Sequence, residues 1–187
     1  MLAFATLLEK LILTPARTTK LALIVDYLKR TPAPERGWAL AAITGDLKIP
    51  SVKPAQIRQM TAARVDSVLF ELSYDYVGDL AETVSLIWPA HPGANRAPDL
   101  PEVVEALLNA TRAEGAALVE RWLDALASRE RWALLKLVTG GLRVGVSARL
   151  ARQAAADLGG RDVAQIEELW HGLTPPYQSL FAWLDGH

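Results

Sequence analysis

Cysteine is absent from all 187 residues, and that removes two kinds of chemistry: no disulfide can staple the fold, and no thiolate can bind zinc or attack a substrate. A cysteine-free chain suits a reducing cytoplasm. Histidine is scarce as well. His91, His171 and His187 stand far apart, none at a metal-binding spacing, so a metal site would have to be assembled from carboxylates alone, and none is expected. No run approaches the roughly 18 apolar residues of a membrane span. The N-terminal MLAFATLLEKLILTPAR places Glu9 and Lys10 inside its apolar stretch and lacks a basic leader, so neither a span nor a secretory signal is expected. There is no Gly-x-Ser-x-Gly nucleophile turn, and Asp75/Asp79, Glu102/Glu105 and Glu167/Glu168 read as solvated helix faces rather than paired catalytic acids.

Alternation with period two is missing over any strand's length, whereas a 3.6-residue period runs through nearly every segment. In Ala16 to Lys29, for instance, Leu21, Ile24, Val25 and Leu28 make one stripe. Start signals are frequent: Thr14-Pro15, Pro34, Pro54, Asp66, Asp79, Pro101, Ser147, and Thr174-Pro175-Pro176. Asp162 with Gln165 three positions on predicts a capping box. The expected class is all-α, with about eleven or twelve short helices. A chain this long, 51% hydrophobic, fits one globular domain. Trp38, Trp122, Trp132, Trp170 and Trp183 lie among stripe residues and are read as core. The one long irregular stretch, PAHPGANRAPD at 89–99, is expected to link two helical halves of the single domain 1–187.

Net charge is −1, but the charges are segregated. Residues 1–64 carry ten Lys/Arg and four Asp/Glu, a net of +6, and residues 65–130 carry four and twelve, a net of −8. Residues 131–152 hold five cations and no acid, and 153–187 come to −4. Two basic segments around an acidic one can fold into one basic face and one acidic back, an asymmetry of polyanion binders.

An internal echo accompanies that pattern. Leu40 to Ile49 and Leu135 to Val144 share Thr-Gly-x-Leu-(Lys/Arg)-(Ile/Val) at a constant offset of 95, and Arg36 and Arg131 match at the same offset. Each copy ends a helix on Thr-Gly, puts a cation in the turn (Lys48 or Arg143) and begins another helix a few residues later. The reading is a pair of helix-turn-helix units related by a pseudo-two-fold axis, with two similar glycine C-caps of ordinary helix-end chemistry as the alternative.

The second copy continues as GGLRVGVS, residues 140–147. A nucleotide-binding P-loop fails here, because Val146 stands where lysine is needed and no strand precedes the turn. What remains is a glycine-rich turn between helices, where small residues expose backbone N–H groups and the next helix N-terminus carries partial positive charge. With Gly140, Gly141, Arg143 and Gly145 in the turn, Ser147 at the helix start, and Arg149 and Arg152 following, the anion that fits is a polymer backbone. By the echo, Lys48 and Lys53 form a second corner. Arg17 and Lys20, at a helix start where cations are mildly disfavoured by the dipole, are expected to add phosphate contacts.

At the level of whole segments the chain resembles the N-terminal DNA-binding domain of ATP-dependent DNA ligases, especially a bacterial branch. The segments are FATLLEKL, TPARTTKLALIVDYL, RGWALAAITGDLKIPSVKPAQIR, SYDYVGDLAETVSLIWP and LLKLVTGGLRVGVSARLARQAAA, which together cover almost the whole chain. The Gly-x-Leu-Arg-(Val/Ile)-Gly turn is the most specific of them. The resemblance implies an all-helical, pseudo-two-fold domain lying on the minor groove of nicked duplex DNA and contacting phosphates without reading sequence. Gly140, Gly141, Arg143 and Gly145 match the family's DNA-contacting turn, and Ser147 its helix start. It further implies a monomer acting on duplex or nicked DNA at the bacterial nucleoid, in repair, replication or recombination. One departure governs activity: no Lys-x-Asp-Gly adenylation motif occurs, the chain ending Trp183-Leu-Asp-Gly-His187. The catalytic nucleotidyltransferase and OB domains are thus expected to be absent from 1–187. This piece should need no cofactor, while the full-length ligase would use ATP and Mg. The competing expectation is a helical-repeat protein-interaction scaffold, which would need an exposed apolar groove instead of a cationic turn.

Overall fold

The computed structural model describes residues 1–91 and 96–187, and among these every regular element is helical, with no strand. The helices are α1 (Leu2–Leu13), α2 (Arg17–Arg30), α3 (Glu35–Thr44), α4 (Pro54–Arg64), α5 (Ser67–Val77), α6 (Leu80–Ile87), α7 (Leu100–Leu108), α8 (Arg112–Ala125), α9 (Ser128–Val138), α10 (Ala148–Gly159), α11 (Val163–Leu169) and α12 (Gln178–Leu184). A 3-10 turn, Trp170–Gly172, tightens the end of α11.

Contacts divide the chain into two compact units. One comprises Met1–Ala5 and Ile49–Gly141, the other Thr6–Lys48 and Leu142–His187. The link expected at 89–99 falls inside the first unit, and its residues 92–95 lie outside the described residues. The chain passes between units at 5/6, inside α1, and again at 48/49 and 141/142, within the two echoing turns.

In the first unit α6 packs on α5 and α9, α4 on α5, α6 and α8, and α7 on α8. Capping explains the spacing. Asp66, Asp79, Asp99 and Thr111 accept from the amides of Leu69, Glu82, Glu102 and Glu114 at the starts of α5 to α8. Asp99 moves the start of α7 ahead of Pro101, which sits in the first turn where it lacks only an N–H that would go unused. The buried Arg131 is a strut, donating to Leu123 O at 2.8 Å and Trp88 O at 3.2 Å. Asp124 accepts from Trp88 Nε1 and Arg64 Nη1, both at 2.9 Å.

Burial alone would raise the Asp124 carboxyl, but bonds from Arg64 and Trp88 outweigh it and hold the group below the ordinary carboxylate range. Asp79 is lowered in the same way, by Lys136 and the Glu82 amide acting against burial. A depressed folded value means the stabilisation is present above the unfolded value, near about 4, and is lost as pH falls towards the folded one. Urea unfolding should therefore give similar stability at about pH 7 and 5 and a decline below about pH 4. In Asp124→Asn that decline should be shallower; an unchanged acid profile would contradict the assignment.

In the second unit α10 is the hub, packing against α2, α3, α11 and α12. Its inward residues Ala151, Ala154 and Ala155 are fully buried, small enough to let neighbouring helices approach closely. Ile24 and Leu28 of α2 are buried as the stripe predicted, with Leu21 and Val25 half-buried at its edge. Asp46 accepts from Trp170 Nε1 (2.8 Å), Tyr177 OH (3.0 Å) and Thr44 Oγ1 (3.0 Å) on one carboxylate oxygen.

Two further start signals differ from expectation. Helix α12 begins at Gln178 rather than at 174–176, because Tyr177 adopts φ +58 with its ring buried and its hydroxyl on Asp46. Asp162 caps α11 through Ala164 N at 2.9 Å, and among the described residues no reciprocal Gln165 side-chain bond completes the capping box.

Candidate functional site

The echo in sequence is only half an echo in structure. In the first copy Gly45 takes φ +83 and closes α3 in a Schellman cap: Gly45 N donates to Ala42 O at 3.3 Å and Asp46 N to Ala41 O at 3.0 Å. Leu47 N also donates to Ala41 O, at 3.1 Å. With Asp46 held by three donors besides, this turn is sealed. Its cation Lys48 is exposed and without an ion pair among the described residues. Lys53, also exposed, stands just before α4, where its own amide donates to Gln56 Oε1 at 2.8 Å.

The second copy stays open. Thr139 N and Oγ1 both donate to Leu135 O, at 3.0 and 2.6 Å, and end α9. Gly140 follows at φ +72, but no Schellman bond forms. Among the described residues none of the backbone amides from Gly140 to Arg149 donates to a protein acceptor. Such groups must be satisfied by water or by a ligand. A Cβ at Gly140 would meet no atom within 4 Å, so that position needs glycine for its backbone angle and faces open space.

Side chains alternate along the turn. Arg143 is exposed, and Val144, 5% exposed, anchors the segment in the core. Gly145 takes φ +68, and here a Cβ would lie 2.6 Å from Lys20 Nζ. That approach brings the Lys20 ammonium onto Gly145 O at 2.8 Å, one donor used and two left free. Arg17 precedes Lys20 by three residues and so lies on the same side of α2. Ser147 Oγ then caps α10, accepting from Leu150 N at 3.1 Å, and Arg149 sits exposed in its first turn.

Within the second unit the structure thus gathers Lys20 against the segment 142–149, with Arg17 on the same side of α2. Among the described residues Arg17, Lys20, Arg143 and Arg149 have no carboxylate partner. Arg152 is different: its guanidinium pairs with Glu167 at 3.3 Å and lies 4.9 Å from the Trp170 ring, so it belongs to the packing of α10 on α11. Arg36 and Arg131, the other echoed pair, are internal as well, Arg36 held by Asp185 and over Phe181. The sequence held no signal for the Lys20 contact, which joins residues 125 apart. Of the tryptophans, Trp38, Trp122 and Trp170 are buried, and Trp132 and Trp183 half-buried.

Among the described residues no group of three or more His, Cys, Asp or Glu could hold a metal ion. Nor is any helix among them long and apolar enough to cross a membrane. The chain matches no protein-family profile and no curated protein.

Proposed function

We propose that this chain is a non-catalytic module that grips the phosphate backbone of duplex DNA, nicked or intact, without reading sequence. The observation that carries it is the open segment 142–149: among the described residues, eight consecutive backbone positions without a protein acceptor for their amides, bearing Arg143 and Arg149 and met by Lys20 of α2, with Arg17 on the same side of that helix. Backbone donors without a protein acceptor, a helix N-terminus and unpaired guanidinium groups are what a phosphate recognises, and Val144 together with the Lys20 bond holds the segment in place. Gly140, Gly141, Gly145 and Ser147 shape the turn. Lys48 and Lys53 enter the proposal as exposed cations; of the amides between Gly45 and Lys53, those of Gly45, Asp46, Leu47 and Lys53 are used within the protein. The segments that resemble the DNA-binding domain of ATP-dependent ligases extend the proposal to a role in nick recognition, with ATP and Mg chemistry belonging to a segment that carries Lys-x-Asp-Gly.

Anisotropy titration of a labelled nicked duplex tests the reading. With about six phosphate contacts, affinity should fall about a thousandfold between about 50 and 200 mM salt and should not change with base sequence. No binding at about 50 mM would reject it.

A further inference from the structure

Helix α5 is the least covered helix of its unit, with Phe70 its single buried residue. Val68, Leu72 and Tyr76 recur every four residues on one face and are 63, 63 and 93% exposed. Leu86 of α6, 71% exposed, lines one shallow groove with Leu72 and Tyr76. Isolated apolar residues on a surface are ordinary, but a continuous stripe across two packed helices marks an interaction surface.

The charge around this stripe says what fits it. Residues 65–91 contain no Lys or Arg and five carboxylates. Asp66 and Asp79 are occupied as caps, and Asp79 also pairs with Lys136. Glu71, Asp75 and Glu82 are exposed and have no cation partner among the described residues. The nearest cation in the adjoining groove, Arg58 of α4, stacks on Tyr74 with its guanidinium 5.4 Å from the ring. Nucleic acid and anionic lipid are repelled by such a face, and a second copy of it would set carboxylates against carboxylates.

We propose that the α5–α6 face docks a protein partner through a basic amphipathic helix, its aliphatic side chains lying on Leu72, Tyr76 and Leu86 and its Lys or Arg flanks meeting Glu71, Asp75 and Glu82. This surface is independent of the phosphate-binding turn and stands whether or not the chain binds DNA.

The probe is a fluorescein-labelled helical peptide of leucine and lysine, with leucines at i, i+3, i+4 and i+7, compared with a leucine and glutamate peptide of the same pattern. The lysine peptide should bind the full chain, with amide shifts in NMR centred on α5 and α6. The glutamate peptide should not bind. Leu72→Ser with Tyr76→Ser, and separately Glu71→Lys with Asp75→Lys, should each weaken binding at least about tenfold, since each removes one of the two recognition components. Equal binding of both peptides, shifts centred elsewhere, or unaltered affinity in either variant would overturn the proposal. So would concentration-dependent dimerisation that the serine variant abolishes, because the occupant would then be a second copy.

Discussion

Reversing both exposed arginines of the open turn, Arg143→Glu with Arg149→Glu, is expected to lower affinity for nicked duplex DNA about a hundredfold or more near 100 mM salt. The plot of log affinity against log salt should flatten by about two, one for each phosphate contact removed. The fold should not notice. Both side chains are exposed and free of ion pairs among the described residues, so stability should stay within about 0.5 kcal/mol of the parent. Arg112→Glu with Arg121→Glu makes the same change in net charge at exposed positions of α8 and serves as the reference. If binding is steered by net charge alone, both pairs will weaken it equally and the turn has no special role. A loss confined to the first pair localises the contact.

The largest effect on stability is expected from a single methyl group. Gly37, in the first turns of α3, lies so close to the 174–177 turn that a Cβ would fall 1.7 Å from Pro176 O and 2.6 Å from Pro176 C. Both obstructing atoms are backbone, so no rotamer change relieves the overlap. Gly37→Ala must therefore push α3 away from that turn, and Tyr177, whose hydroxyl reaches Asp46, moves with it. A loss of about 3 kcal/mol or more is expected, a fall in Tm of about 10 °C for a chain of this size. Gly141→Ala is the contrast. A Cβ there meets Thr139 Oγ1 at 3.6 Å and Lys136 Cδ at 3.7 Å, which is ordinary contact, and the residue has no positive φ. That variant should melt within about 2 °C of the parent; comparable Tm losses in both would show that helix-forming tendency, not the close approach, sets the cost.

Local chemistry made much of the fold legible in the sequence. Caps such as Asp79, Ser147 and Asp66 act on amides two or three residues away, and the apolar stripe of α2 is a property of one helix, so both can be read without knowing what packs where. Long-range geometry was not legible. Gly37 looks like a tolerated helix glycine until Pro176 is known to face it, 139 residues on. The echo misled in a similar way: Thr44-Gly45 and Thr139-Gly140 have the same letters and the same left-handed glycine, but Asp46, held by Trp170 and Tyr177, seals one turn, while Gly141 in its place leaves the other open. The glycine-rich turn is legible in its letters, whereas the contact that holds it, Lys20 on Gly145, is set only by the fold.

The indoles of Trp88 and Trp170 each donate to a carboxylate, Asp124 in one unit and Asp46 in the other. A ring fixed in an asymmetric polar setting gives near-ultraviolet circular dichroism that vanishes when its surroundings melt. Each unit therefore carries its own built-in spectroscopic reporter. Replacing Trp88 or Trp170 with phenylalanine in turn would separate the two signals and show whether both halves lose their order in one cooperative step or in sequence.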